Sequence, residues 1–152
     1  MLTITPFLWF DTQAEEAMNF YASIFPDAKV IAVNRAGDRV ISVVYELEGQ
    51  KFMGLNAGPH FRFNEAVSFF VGCDTQRQID ELWTKLIAGG GSPSKCGWLK
   101  DKFGLSWQIV PNALGDLLGG GGDPTRAKRV MDTMLSMEKL ELNRLEAAFN
   151  GT

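Results

Sequence analysis

A single histidine limits the chemistry open to this chain. His60 follows Pro59 in the segment Asn56-Ala57-Gly58-Pro59-His60-Phe61-Arg62-Phe63-Asn64. An imidazole titrates near neutrality, so His60 reads either as a general base or as an exposed loop side chain. A His-rich metal cluster within one chain is excluded, and a Ser-His-Asp or Cys-His pair would have to recruit His60 itself. Cys96 is flanked by Lys95 and Lys100, cations that lower a thiol pKa; its other reading is a small side chain packed in a strand. Cys73 ends an apolar run and reads as packing. Glu15-Glu16, and Glu46 with Glu48, read as solvated faces. The most informative stretch is 94–108, where Asp101-Lys102-Phe103-Gly104 feeds an alternating run. There Ser106 and Gln108 share one face, while Trp107 and Ile109 point the other way.

The elements that must hold these groups follow from periodicity and punctuation. Residues 3–10 are apolar and β-rich, hence a strand. Asp11-Thr12-Gln13 then leads into Ala14-Glu15-Glu16-Ala17, with acids in the first turn of a helix whose apolar positions run to Ile24 and Phe25. Pro26-Asp27 ends it. Three strands follow, about 29–34, 39–48 and 51–56, separated by turns at 36–38 and 48–50. The pattern then restarts: a strand over 65–73, Asp74-Thr75-Gln76 before a helix to about Ala88, a stop at residues 89–91, and short strands to Val110. Asp-Thr-Gln at 11–13 recurs at 74–76, and the same offset pairs Phe20 with Trp83. Residues 1–111 are therefore expected to form one domain from two βαβββ modules, about 3–56 and 65–110, of α+β class. Beyond them, Asp123-Pro124 opens a helix with Val130, Met134, Met137 and Leu140–Leu142 as its apolar stripe. That extension, 112–152, either packs on its own domain or reaches a second copy.

The bulk numbers agree with one soluble domain. The chain has 152 residues, 45% hydrophobic and 22% charged, with a net charge of −3. A mild acidic excess disfavours nucleic acid, and no apolar run is long enough to span a membrane. With two cysteines, and no basic stretch or cleavage motif over residues 1–6, the expected location is cytoplasmic.

Several segments carry a resemblance. They are Thr5-Pro6-Phe7-Leu8-Trp9-Phe10-Asp11, Ala14-Glu15-Glu16-Ala17, Phe20-Tyr21, Leu55-Asn56-Ala57-Gly58-Pro59, Cys96-Gly97-Trp98-Leu99-Lys100-Asp101 and Gly104-Leu105-Ser106-Trp107-Gln108. Across about 3–111 the chain resembles the PhnB-like branch of the vicinal oxygen chelate superfamily, which bears a demethylubiquinone methyltransferase label. The resemblance implies paired βαβββ modules in a curved, mostly antiparallel sheet like that of glyoxalase and bleomycin-resistance proteins, a homodimer, and cup-shaped cavities. It also implies that a metal, where the superfamily's enzymes use one, is held from the first and last strands of each module. Here those places fall on Pro6, on Ser68 or Phe69, on Met53 or Asn56, and on Gln108. Proline and methionine offer no hard donor, and serine and glutamine are weak neutral ones, so no metal is expected. The methyltransferase label finds no support. Such a cofactor needs a glycine-rich turn after a parallel strand, whereas residues 89–91 and 119–122 each follow a helix.

Binding fits better than catalysis. Alternation places Pro6, Leu8, Met53, Ser68 and Gln108 on the concave side, with Trp98 and Phe61 available to stack on a flat ligand. The expected function is metal-independent, cofactor-free binding of a small organic molecule by a homodimer. The alternative is a lyase, isomerase or dioxygenase with an unconventional metal set.

Overall fold

The strand that opens the chain is shorter than its apolar run. In the computed structural model, which describes residues 1–152, only Phe7–Phe10 (β1) forms a ladder. Pro6 has no N–H to give, and its carbonyl accepts from the Met53 amide at 3.0 Å. After β1 come α1 (Ala14–Ile24), β2 (Ala28–Ala36), β3 (Arg39–Leu47) and β4 (Gln50–Asn56). Their sheet has the order β1-β4-β3-β2, with β1 and β4 parallel and the other pairs antiparallel. Ala14, Ala17, Met18, Tyr21 and Ile24 form the buried stripe of α1, at helical spacing. It covers the sheet face that carries Leu8, Phe10, Val43, Tyr45, Leu47 and Phe52. Gly54 permits the close approach, because a Cβ there would lie 2.9 Å from Val43 Cγ2 and 3.5 Å from Ala14 Cβ.

The second module repeats the plan with β5 (Ser68–Cys73), α2 (Gln76–Ile87), β6 (Ser92–Pro93), β7 (Trp98–Lys100) and β8 (Ser106–Pro111). Its order is β5-β8-β7-β6, again with one parallel pair, β5 with β8. The α+β, paired-βαβββ expectation is thus met by two four-stranded mixed sheets. The Asp-Thr-Gln repeat is used differently in each. Thr75 closes a capping box with Gln78, whereas α1 starts one residue later in its motif and has no local side-chain cap. Its first N–H is met instead from β4, by Asn56 Oδ1 at 2.9 Å from the Ala14 nitrogen.

The C-terminal region departs from the single helix expected over 123–150. It forms α3 (Leu114–Leu118), a 3₁₀ turn at Gly120–Gly122, α4 (Pro124–Leu135) and α5 (Leu142–Asn150). The break between α4 and α5 has a tertiary cause. The carbonyls of Met137 and Glu138 accept from Cys96 N and Gly97 N at 2.9 and 2.8 Å. Gln76 donates to the Leu140 carbonyl at 3.0 Å and accepts from Leu142 N at 2.7 Å. The apolar stripe is buried in its own unit, as Val130, Met137, Leu140 and Leu145 around Val110 of β8. In this chain the stripe therefore packs in cis. The chain divides into two units, Met1–Arg62 and Phe63–Thr152. No helix is long and apolar enough to cross a membrane.

Candidate functional site

The orientation of β8 is set at the turn before it. Asp101 is buried, and its carboxylate takes three donors: Phe103 N at 2.9 Å and Leu105 N at 3.1 Å on Oδ1, and Trp107 Nε1 at 2.9 Å on Oδ2. Trp107 is thereby held beneath α2, edge-on to Phe69 at a centroid distance of 5.2 Å. With a two-residue side-chain period, Ser106 and Gln108 must then project from the face opposite α2, at whose far end Val110 packs against the C-terminal helices.

Register converts that face into two cross-strand rows. Ser68 pairs with Ser106, Ser106 with Lys100, and Lys100 with Ser92. One step along, Phe70 pairs with Gln108 and Gln108 with Trp98. The rows are joined by Gln108 Nε2, which donates to Ser68 Oγ at 2.9 Å. Lys100 forms an ion pair with Glu65, an exposed residue ahead of β5. The hydrogen bond from the Lys100 ammonium holds the Glu65 carboxyl below the usual carboxylate range. Ser106 is 1% exposed and its hydroxyl has no hydrogen-bond partner. Phe70 is 64% exposed, so a large apolar ring stands open to solvent beside a half-buried amide.

The first sheet has a helix-free face of different character. Its rows are Phe7, Met53, Val44 and Ala32, then Trp9, Leu55, Ser42 and Asn34. Trp9 Nε1 donates to the Gly58 carbonyl at 2.9 Å, and Phe61 meets the Trp9 ring edge-on at 5.0 Å. His60 lies edge-on to the same indole at 6.4 Å.

Of the expected ligand-facing residues, Met53 lies on the face of its sheet opposite α1, and Ser68, Trp98 and Gln108 lie on the face opposite α2. Leu8 does not. It is the register partner of Gly54, which faces α1, and it is buried as core. Pro6 precedes the ladder, and Phe7 is the residue paired with Met53. Asn56 is likewise turned to α1, and its Nδ2 is committed to the Val40 carbonyl at 3.1 Å. Sequence reasoning missed Phe7, Phe70 and Lys100. The two phenylalanines are equivalent under the 11–13/74–76 repeat, each standing opposite the place that the resemblance gives to a metal ligand, Met53 or Gln108.

This donor set does not fit the divalent cation that the superfamily's enzymes use. The relevant positions offer a thioether, an amide, the Ser68 hydroxyl and two phenyl rings, and neither unit gathers three His, Cys, Asp or Glu side chains. The other reactive groups are structural. Burial pushes the Cys73 thiol up to about 11, with Asp74 adding to the shift. Cys96 and Gly97 take positive φ values of 56° and 86° in a turn pinned to Met137 and Glu138. A depression of about 330 Å³ between α2 and α5 is lined by Gln76, Asp80, Lys139, Glu141, Asn143 and Arg144. Its charges already bind one another: Lys139 to Asp80 and Arg144 to Glu141, each at 2.7 Å.

Residues 2–110 match the model of a family described as 3-demethylubiquinone-9 3-methyltransferase. Among solved structures, a PhnB protein of Bacillus cereus bearing the same methyltransferase description is 34% identical, with a TM-score of 0.67. The match covers 72% of this chain and 99% of that one. A glyoxalase/bleomycin resistance protein/dioxygenase domain from Frankia is 13% identical with a TM-score of 0.52, covering 72% and 95%. The fosfomycin resistance protein FosX of Listeria monocytogenes, solved with Mn(II) and sulfate, is 13% identical with a TM-score of 0.56, covering 72% and 92%. Comparison with functionally curated proteins returns no match.

Proposed function

The chain belongs to the 3-demethylubiquinone-9 3-methyltransferase (PhnB) family, with the glyoxalase/bleomycin resistance/dioxygenase fold, and we propose that it binds a small organic molecule without a divalent metal. The observation that carries this reading is the row Phe70–Gln108–Trp98 on the face of the second sheet opposite α2. Two aromatic side chains flank an amide there, and apolar surface with a few placed polar groups is what small ligands require. The family's methyltransferase description draws no support from this chain. Its glycine runs, 89–91 after α2 and 119–122 after α3, do not follow a parallel strand.

Exposed Phe7, Phe61, Val67 and Phe70 support a two-fold dimer in place of the C-terminal stripe, which is consumed internally. Light scattering at micromolar concentration tests it; a monomer refutes it. For ligand binding, the protein is titrated with a panel of small aromatic fragments while backbone and indole resonances are followed by NMR. Shifts centred on Phe70, Trp98 and Gln108 are expected. A panel that moves none of them overturns the reading.

A further inference from the structure

We infer that the face of the second sheet opposite α2 is built for a small aromatic carboxylate, with the ring between Phe70 and Trp98 and the carboxylate on the Ser68–Ser106–Lys100 row. This deepens the ligand-binding reading above and rests on it.

The polar row is a row of donors with one acceptor attached. Ser68 Oγ accepts from Gln108, so its own proton points elsewhere. Ser106 Oγ is buried with no partner, a state that costs stability and that native structures retain only for a reason. Lys100 brings three N–H donors and a positive charge. What this set lacks is an acceptor with negative charge, and Glu65 supplies one from outside the sheet. Glu65 is the more exposed partner, with its side chain 61% accessible against 39% for Lys100, so its hold on the ammonium is open to exchange. A ligand carboxylate reproduces that contact, gives the Ser106 hydroxyl the acceptor it lacks and offers one to the Ser68 proton. The aromatic row lies one strand repeat away, about 7 Å along the strand. That spacing suits a ring joined to its carboxylate by a short linker. A neutral ligand would leave the serine row as it is; a cationic one would meet Lys100.

The test compares phenylacetate with its neutral isostere phenylacetamide on the full-length protein, by calorimetry and by NMR shifts at Phe70 and Trp98. The carboxylate is expected to bind about tenfold more tightly, as befits a charge-assisted contact. Lys100→Met should erase that difference, and Lys100→Arg should keep most of it. Glu65→Gln should tighten phenylacetate several-fold by removing the internal competitor. Ser106→Ala should raise the melting temperature, because an orphaned hydroxyl is gone, and yet weaken phenylacetate; a serine with only a structural part would not move both in that sense. Circular dichroism confirms that each variant is folded. Equal affinity for the two probes, or a preference that survives Lys100→Met, overturns the inference while the Phe70 and Trp98 shifts keep the broader reading alive. If neither probe shifts these residues, both fall.

Discussion

The Asp101 carboxylate and the Trp107 indole, 2.9 Å apart, decide which way the last strand of the second module faces. Asp101 is 3% exposed and takes two backbone N–H groups besides the indole, so the turn and the strand's parity are fixed by one side chain. Asp101→Ala removes the acceptor of three donors, two of them on the backbone. The expected loss is about 2–4 kcal/mol, read by urea unfolding. Asp101→Asn keeps the acceptor and should lose less.

Metal content follows from the donor types. With Met53 and Gln108 at the positions that oppose Phe7 and Phe70, purification without chelators should give no stoichiometric divalent cation. Elemental analysis finding near one Zn, Mn, Fe or Ni per chain would refute this.

Gln108→Leu should leave the fold intact. The side chains are similar in size, and the Ser68 hydroxyl it releases is half-exposed and can turn to water. A melting shift equivalent to less than about 1 kcal/mol is expected. Phenylacetate and phenylacetamide should both bind more weakly, by about 0.5–1.5 kcal/mol for one neutral hydrogen bond. A variant that loses several kcal/mol of stability with unchanged binding would make Gln108 a structural residue.

The two cysteines should separate on labelling. Cys73 is buried with its thiol near 11, so a maleimide at pH 8 should spare it in the folded protein and modify it only after unfolding. The raised value also has a stability consequence. A native pKa above the unfolded one means that stability is full below about 8.5 and declines as pH rises from there through about 11. Cys73→Ser should flatten that alkaline decline.

Gln76→Leu should loosen the C-terminal helices before the sheets. Three hydrogen bonds leave together: to Asp80, to the Leu140 carbonyl and from Leu142 N. Hydrogen exchange should accelerate over 137–150 while β5 and β8 stay protected. Acid should act in the same direction. The Lys139 and Gln76 hydrogen bonds lower the Asp80 pKa, so this contribution is present above the usual carboxylate value, about 3.9, and is lost as pH falls below it.

Legibility in the sequence depended on polarity contrast. Ser106 and Gln108 alternate with Trp107 and Ile109, so the parity of β8 could be read and is correct. Phe7, Leu8, Trp9 and Phe10 are all apolar, so nothing marked which pair faced α1, and Leu8 was placed on the wrong side. Asn56 as the cap of α1 is forty-two residues from its partner and has no local signature. The run Ser136-Met137-Glu138-Lys139-Leu140 has no proline or glycine, so its helical periodicity carries straight through. What stops it is distant: the amides of Cys96 and Gly97 and the side chain of Gln76, which claim its carbonyls. Lys100 went unnoticed because a three-residue strand shows no alternation of its own.

The pinning of Cys96 and Gly97 to Met137 and Glu138 also imposes an order on biosynthesis. The first unit closes its parallel β1–β4 pair within residues 7–56 and can settle while the rest is still being translated. In the second unit, the turn that launches β7 has its acceptors forty-one residues further on. A nascent chain stopped before Met137 therefore holds two buried-to-be amides with nothing to bind and an uncovered Val110. The hairpin bearing Trp98, Lys100 and Gln108 is completed only once Met137 and Glu138 have been made, so products truncated before them lose the surface proposed to face the ligand.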